Sequence, residues 1–197
     1  LFVAYDCVQF PRRGWVHRNR LLGADGEERW LTLPLARQPQ DIAIKDLAFR
    51  DDAEAALAEA AARFPAIPAA AESFPDLVDA LLHPRSDPAA YLVDSLKRIC
   101  AVLDLERDIV RSSTLAIDPS LRGEARILAI CEAVGAKTYV NAPGGRDLYD
   151  VERFKARGIA LEFLTPCSSP TVSILQRLAD GDVGPLRQEI LENTVLD

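Results

Sequence analysis

The chain has 197 residues, 49% of them hydrophobic, and carries 30 acidic against 23 basic side chains for a formal net charge of −7. A chain of this length buries roughly two-thirds to three-quarters of its unfolded surface around one core, so a single domain over residues 1–197 is expected. The acidic balance argues against a general nucleic-acid or membrane-surface binder, which needs a positive field over a whole face, and no apolar run approaches the ~20 residues of a membrane helix.

Leu1 to Tyr5, "LFVAY", reads as a strand. The chain has no methionine and already begins inside this run, so further residues are expected to precede Leu1 in the natural protein. No basic segment followed by an apolar signal core opens it, and a cytoplasmic location without membrane insertion is expected. "VQFPRRGWVHRNR", Val8 to Arg20, follows and sets Arg12, Arg13, Arg18 and Arg20 beside Trp15, His17, Gln9 and Asn19. "RWLTLPL" (Arg29 to Leu35) and "DIAIKDLAF" (Asp41 to Phe49) read as further strands, with "GADGEE" as a turn before the first of them.

The composition then shifts to helix. "DDAEAALAEAAARF" is alanine-rich with an acidic start that suits the helix dipole, and the proline-broken "PAIPAAAESFPD" follows it. A short helix is expected near Leu77 to Leu82. A longer one is expected to be capped by Ser86, with Pro88 in its first turn and one buried face at Leu92, Leu96, Ile99, Cys100 and Leu103. From Asp108 the order becomes strand, helix, strand, helix, strand. "DIVRSSTLAI" leads to a helix capped by Asp118 and ended by Gly135, "KTYVN" leads through "APGGRD" to a helix ended by Gly158, and "IALEFL" follows. Strands joined by such helices lie parallel. The expected fold is α/β: a mostly parallel sheet with flanking helices, an irregular β-rich N-terminal part, and short C-terminal helices at "TVSILQRLADG" and "GPLRQEILENT".

Ligands of open parallel sheets bind beyond the carboxyl ends of the strands. Asp6 to Arg20, Arg111 to Thr114 and Asn141 to Asp150 fall there on this reading, and their convergence would make one site. Arginines in the first loop suit phosphate or carboxylate groups and Trp15 suits a base or sugar ring, unless the arginines pair with acids such as Glu27 and Glu28 on a solvated loop. Arg18 and Arg20 flank Asn19 and would share one face of an extended segment. Ser112 and Ser113 could donate to a phosphate or simply end a strand. Gly144 and Gly145 permit close backbone approach to an anion, or an ordinary tight turn. His17 is one of two histidines and suits a general base beside Asp6, while Asp6 itself reads equally as a base, a cap or a metal ligand. The four cysteines, Cys7, Cys100, Cys131 and Cys167, are too far apart for a metal-binding pair; Cys100 and Cys131 read as buried thiols. Lone carboxylates such as Asp6 and Asp150 do not by themselves make a magnesium site, and no cofactor is assigned.

These stretches together resemble the WbqC-like protein family. The resemblance rests on "YDCVQFPRRGWVHRNRL", "WLTLPL", the paired serines, "RILAICEAVGAKTYVNAPGGRDLYD", "FKARGIALEF" and "SIL" near the end. It places the family pattern on Asp6, Gln9, Phe10, Arg13, Trp15, Arg18, Asn19, Arg20, Trp30, Leu31, Pro34, Ser112, Ser113, Gly144, Gly145 and Asp150. Tyr5 stands where the family often has a second aspartate and His17 where asparagine is common; the family's H-Q-P-x-Y-x-P opening would precede Leu1. The resemblance implies a protein of O-antigen or other surface-polysaccharide biosynthesis, a transferase on a nucleotide- or lipid-linked sugar. Its small-molecule substrate would then be a sugar phosphate or nucleotide sugar. Asp6 and His17 would be catalytic, and Gln9, Arg13, Trp15, Arg18, Asn19, Arg20, Ser112, Ser113, Gly144, Gly145 and Asp150 would bind substrate. The alternative is a non-catalytic binding or scaffold protein of the same assembly machinery.

Overall fold

The computed structural model describes residues 1–105, 107–166, 172–179 and 181–196, so Cys167 lies outside the described residues. In chain order the elements are β1 (Phe2–Ala4), β2 (Arg18–Leu22), β3 (Glu28–Thr32), α1 (Ala53–Ala61), α2 (Ala66–Ser73), α3 (Pro75–Leu82), α4 (Pro88–Val102), β4 (Ile109–Arg111), α5 (Gly123–Ala133), β5 (Thr138–Asn141), α6 (Val151–Lys155), β6 (Ala160–Phe163), α7 (Ile174–Leu178) and α8 (Gly184–Asn193). The mixed α/β class expected from the sequence is borne out. The described strands form three two-stranded ladders: β1 with β4 and β5 with β6 are parallel, and β2 with β3 is an antiparallel hairpin. Two compact units emerge, Leu1–Arg111 with Pro170–Arg187, and Ser112–Ser169 with Gln188–Asp197.

In the first unit the hairpin buries one face. Leu21 is fully buried among Ala61, Phe64, Ala66, Ile67, Ala70 and Val78 of α1 to α3, and a leucine so placed contributes about 1.5–3 kcal/mol. The outer edge of β2 is covered by the segment at α7: the Ser173 amide donates to the Arg20 carbonyl at 2.7 Å, and the Leu22 amide to Oε1 of Gln176 at 3.0 Å. Because side chains alternate along a strand, packing Leu21 inward leaves Arg18 and Arg20 on the opposite face.

Four local expectations are corrected in this unit. Asp41 to Phe49 is not a strand: only the single bridges Gln9–Ala43 and Leu35–Phe49 form, around a one-turn 3-10 helix at Ile44–Asp46. Its backbone instead zips onto irregular chain, with Phe10 N–H to the Ile42 carbonyl, Ile44 N–H to that of Val8 and Lys45 N–H to that of Asp6. The stretch read as proline-broken contains α2, because Pro68 lies in its first turn, where its missing N–H has no intrahelical acceptor anyway. The cap of α4 is Asp87, whose carboxylate accepts from the Ala90 amide, rather than Ser86. The predicted apolar face of α4 is covered unevenly: Leu103 is buried, Leu96 remains 36% exposed, and Pro88, Ala89 and Tyr91 supply the buried contacts.

In the second unit α6 packs on β5 and β6. Phe154 is fully buried, stacked on Tyr139 (centroids 5.6 Å) and edge-on to Tyr149 (5.8 Å). Gly135 and Gly158 follow α5 and α6 with φ of +67° and +68°, the left-handed cap that the sequence suggested. Asp118 does not cap α5: it accepts from the Ser120 amide in a preceding turn, and the helix begins at Gly123. Cys131 is buried and Cys100 half-buried, and desolvation raises both thiols.

Candidate functional site

The outward face of the β2–β3 hairpin carries the densest group of predicted site residues. Arg20 is the cross-strand partner of Trp30, and Trp15 from the preceding loop packs on Trp30 with ring centroids 4.9 Å apart at 58°. The Arg20 guanidinium carbon lies 5.0 Å from the Trp15 ring and 5.6 Å from Trp30; that of Arg18 lies 4.2 Å from Trp30. Both tryptophans stay open to solvent, at 54% and 41% exposure. Arg18 and Arg20 therefore do share one face, as an extended segment requires.

The cations on this face are committed unequally. Arg20 pairs with Glu28 at 2.6 Å, while its Nε is buried with no hydrogen-bond partner among the described residues. Arg18 donates from Nε to the Gly14 carbonyl (3.2 Å) and from a terminal nitrogen to the Arg13 carbonyl (2.7 Å), which closes the loop while no carboxylate among the described residues cancels its charge. Arg13 is exposed and has no ion-pair partner among the described residues. Arg12 is spent on the Gln38 and Pro39 carbonyls, and the Gln9 amide donates to the Gln40 carbonyl at 3.0 Å, so both fasten the loop at 38–40. Asn19 accepts from the Arg20 amide at 2.8 Å.

The two residues expected to act as acid or base differ in environment. Asp6 is 4% exposed; its Oδ2 accepts from Nε of Arg111 at 2.7 Å, and Arg111 also approaches Asp87 at 3.4 Å. Burial opposes the Arg111 charge, but its bonds and charge contacts with Asp6 and Asp87 outweigh this and raise its pKa. His17 packs edge-on to Phe10 at 4.8 Å, with Nδ1 buried and unpartnered among the described residues. Its pKa is lowered by burial and then by the Arg18 charge, so the ring is neutral at pH 7 and can accept a proton.

The remaining predicted residues belong to the second unit. Ser112 is buried and Ser113 half-buried in a 3-10 turn after β4. Gly144 and Gly145 lie in the 3-10 segment Pro143–Leu148. A Cβ on Gly145 would stand 2.5 Å from Nδ2 of Asn141 and 3.3 Å from Tyr149, whereas Gly144 faces open space. Close approach is thus needed at Gly145 for the protein's own Asn141 side chain. Asp150 caps α6, accepting from the Glu152 amide at 3.0 Å, and its own amide donates to Glu124 at 2.6 Å. That bond, then Arg153, lowers the Glu124 pKa.

Sequence reasoning gave Trp30 no site role and did not assign Arg111 to Asp6. The first was accessible: a hairpin turning at Gly23 to Glu28 sets Trp30 opposite Arg20. The second needed the β1–β4 register, which pairs Ala4 with Arg111. Among the described residues no group of three or more histidine, cysteine or carboxylate side chains is placed to hold a metal ion. None of the described helices is long and apolar enough to cross a membrane. What the hairpin face offers is a pair of aromatic surfaces for a planar ring or sugar face, with guanidinium charge alongside for an anion.

A family model described as "WbqC-like protein family" matches residues 1–173. None of the curated proteins and none of the solved structures compared with the chain matches it.

Proposed function

The chain belongs to the WbqC-like protein family, and from that premise we propose that it is a cytoplasmic transferase of O-antigen or surface-polysaccharide biosynthesis that takes a nucleotide- or lipid-linked sugar on the β2–β3 face. The observation that carries this reading is the Trp15–Trp30 pair, exposed and ringed by the Arg18 and Arg20 guanidinium groups. The sugar or base lies against the indole rings, and the phosphate lies toward Arg13 and Arg18, whose charges no carboxylate among the described residues cancels. His17, neutral at pH 7, takes the proton of the acceptor hydroxyl as that oxygen bonds the transferred carbon and the anionic leaving group departs. Gln9 and Asn19 hold the loop in shape, and Asp6 holds Arg111.

The same geometry supports a second reading, a non-catalytic binding or scaffold protein of the polysaccharide assembly machinery. The observation favouring it is that Asp6 and Asp150 are both committed, one to an ion pair and one to a helix cap.

Trp15 and Trp30 are the only tryptophans of the chain, so intrinsic indole emission reports on this face alone. Titration with nucleotide sugars and nucleoside diphosphates should quench it, and Arg18→Ala and Trp15→Ala should weaken binding about two- to tenfold. An emission spectrum indifferent to every such compound overturns the site assignment. Saturable quenching without turnover of any sugar donor, together with capture of partner enzymes, selects the scaffold reading.

A further inference from the structure

A cavity of about 200 Å³ lies wholly within the first unit, reaching from the Trp15 loop to α4 and α7. Its walls include Leu31 from the hairpin, Leu92 and Ile99 from α4, and Ile174 from α7. Trp15, more than half exposed, and Arg18 both line it.

Of the polar side chains along this cavity, His17 keeps a buried Nδ1 that has no hydrogen-bond partner among the described residues, while Tyr91, Ser95, Ser173 and Arg18 have spent hydrogen bonds on the protein. The Tyr91 hydroxyl donates to the Leu81 carbonyl at 2.8 Å, and the Ser95 hydroxyl to the Tyr91 carbonyl at 2.7 Å. The Ser173 hydroxyl accepts from the Leu175 amide as the cap of α7, and Arg18 holds two carbonyls of its own loop. A sugar ring placed here would bring several hydroxyls into a space with few free partners, each a loss of about 1–3 kcal/mol. An aliphatic chain would lose nothing and would gain about 0.8 kcal/mol per methylene. At about 30 Å³ per water-sized volume, the space holds six or seven heavy atoms. The charge beside the cavity is positive, because among the described residues Arg18 is hydrogen-bonded only to neutral carbonyls.

We propose that this cavity is an acyl-chain subsite: the ligand of the hairpin face carries an aliphatic chain of about six or seven carbons, which enters beside Trp15 while its anionic end stays at Arg18. The proposal names the substrate class of the face described above and rests on that reading.

The test uses the full chain and the sodium salts of straight-chain alkanoates from acetate to dodecanoate, each below its micellar concentration, followed by tryptophan emission and calorimetry. Affinity should climb about fourfold per methylene until six or seven carbons lie beyond the carboxylate, and then level off. Ile99→Phe and Ser95→Leu, which fill the space from two sides, should each abolish the climb. Affinity that does not change with chain length overturns the subsite, and so does a rise that continues unbroken to dodecanoate. The wild-type series decides the matter even where a filled variant fails to fold. A parallel titration with uridine diphosphate separates the two readings. A levelling alkanoate series without nucleotide binding overturns the nucleotide-sugar reading and leaves the subsite standing; nucleotide binding with a flat alkanoate series does the reverse.

Discussion

Across the parallel ladder of the first unit, the buried Asp6 carboxylate accepts a 2.7 Å hydrogen bond from Nε of Arg111, so the carboxyl ends of β1 and β4 are tied by an ion pair as well as by backbone. Asp87 stands 3.4 Å from the same guanidinium and also caps α4. One arginine thereby links a strand end, a loop and a helix start.

Asp6→Asn should therefore act first on stability. Breaking a buried pair by removing one partner costs about 3–5 kcal/mol, and the remaining Asp87 contact brings the expected loss to the lower end of that range. Urea unfolding measures it. A loss under about 1 kcal/mol, with the proposed transferase activity abolished, would instead place Asp6 among the reacting groups.

His17 gives the protein a pH dependence of defined sign. Its folded pKa is depressed by burial and by Arg18, so between that value and the ordinary 6.5 the unfolded chain binds more protons than the folded one. Stability is then fully present above pH 6.5 and falls as pH drops through the folded pKa. The carboxylates lowered by hydrogen bonds, Asp118 and Glu124 among them, act only below about pH 4.5, their ordinary range. Urea midpoints at pH 7.5 and 5.5 should fall more for the wild type than for His17→Gln. Equal drops in the two proteins would show that the ring is not desolvated.

The paired glycines of the 3-10 segment at Pro143–Leu148 should respond differently to the same methyl group. Gly145→Ala forces the Asn141 amide away, and Asn141 Oδ1 holds the Ala142 amide at 2.7 Å; the expected cost is about 1–2 kcal/mol. Gly144→Ala meets open space at a position whose φ is not positive, and the reduced freedom of the unfolded chain should stabilise it by about 0.4–1 kcal/mol. Thermal melts of both variants check the contrast; equal destabilisation would mean that Gly144 also has a neighbour to accommodate.

Periodicity and turn chemistry made most of the helices, the β2–β3 turn and the caps at Gly135 and Gly158 legible, because these are local. α2 was hidden because Pro68 reads as a break unless the helix start is known to sit two residues before it. Asp41 to Phe49 has the alternation of a strand, yet its N–H groups are taken by the carbonyls of Asp6 and Val8, far away in sequence. The site divides in the same way. The Arg18 and Arg20 face follows from alternation once the segment is extended, and Trp30 follows from the hairpin register. The Asp6–Arg111 pair spans 105 residues and no local pattern announces it.

Glu28 is the acid that restrains the proposed binding face. Its carboxylate holds Arg20 at 2.6 Å with both side chains part-exposed, a pair worth about 0–1 kcal/mol to folding. Glu28→Gln keeps the shape and the hydrogen-bonding capacity but removes the negative charge beside Trp15 and Trp30. For an anion centred about 7 Å away, losing that repulsion is worth roughly 0.6 kcal/mol at the dielectric of water, about threefold in affinity, and more where the site is drier. Quenching titrations with uridine diphosphate should therefore give tighter binding in Glu28→Gln than in the wild type, with a melting temperature within a few degrees of it. At 0.5 M salt the advantage should shrink, since charges this far apart are screened. Affinity that is unchanged or weaker in Glu28→Gln would mean that the anionic part of the ligand lies beyond the reach of the Glu28 charge.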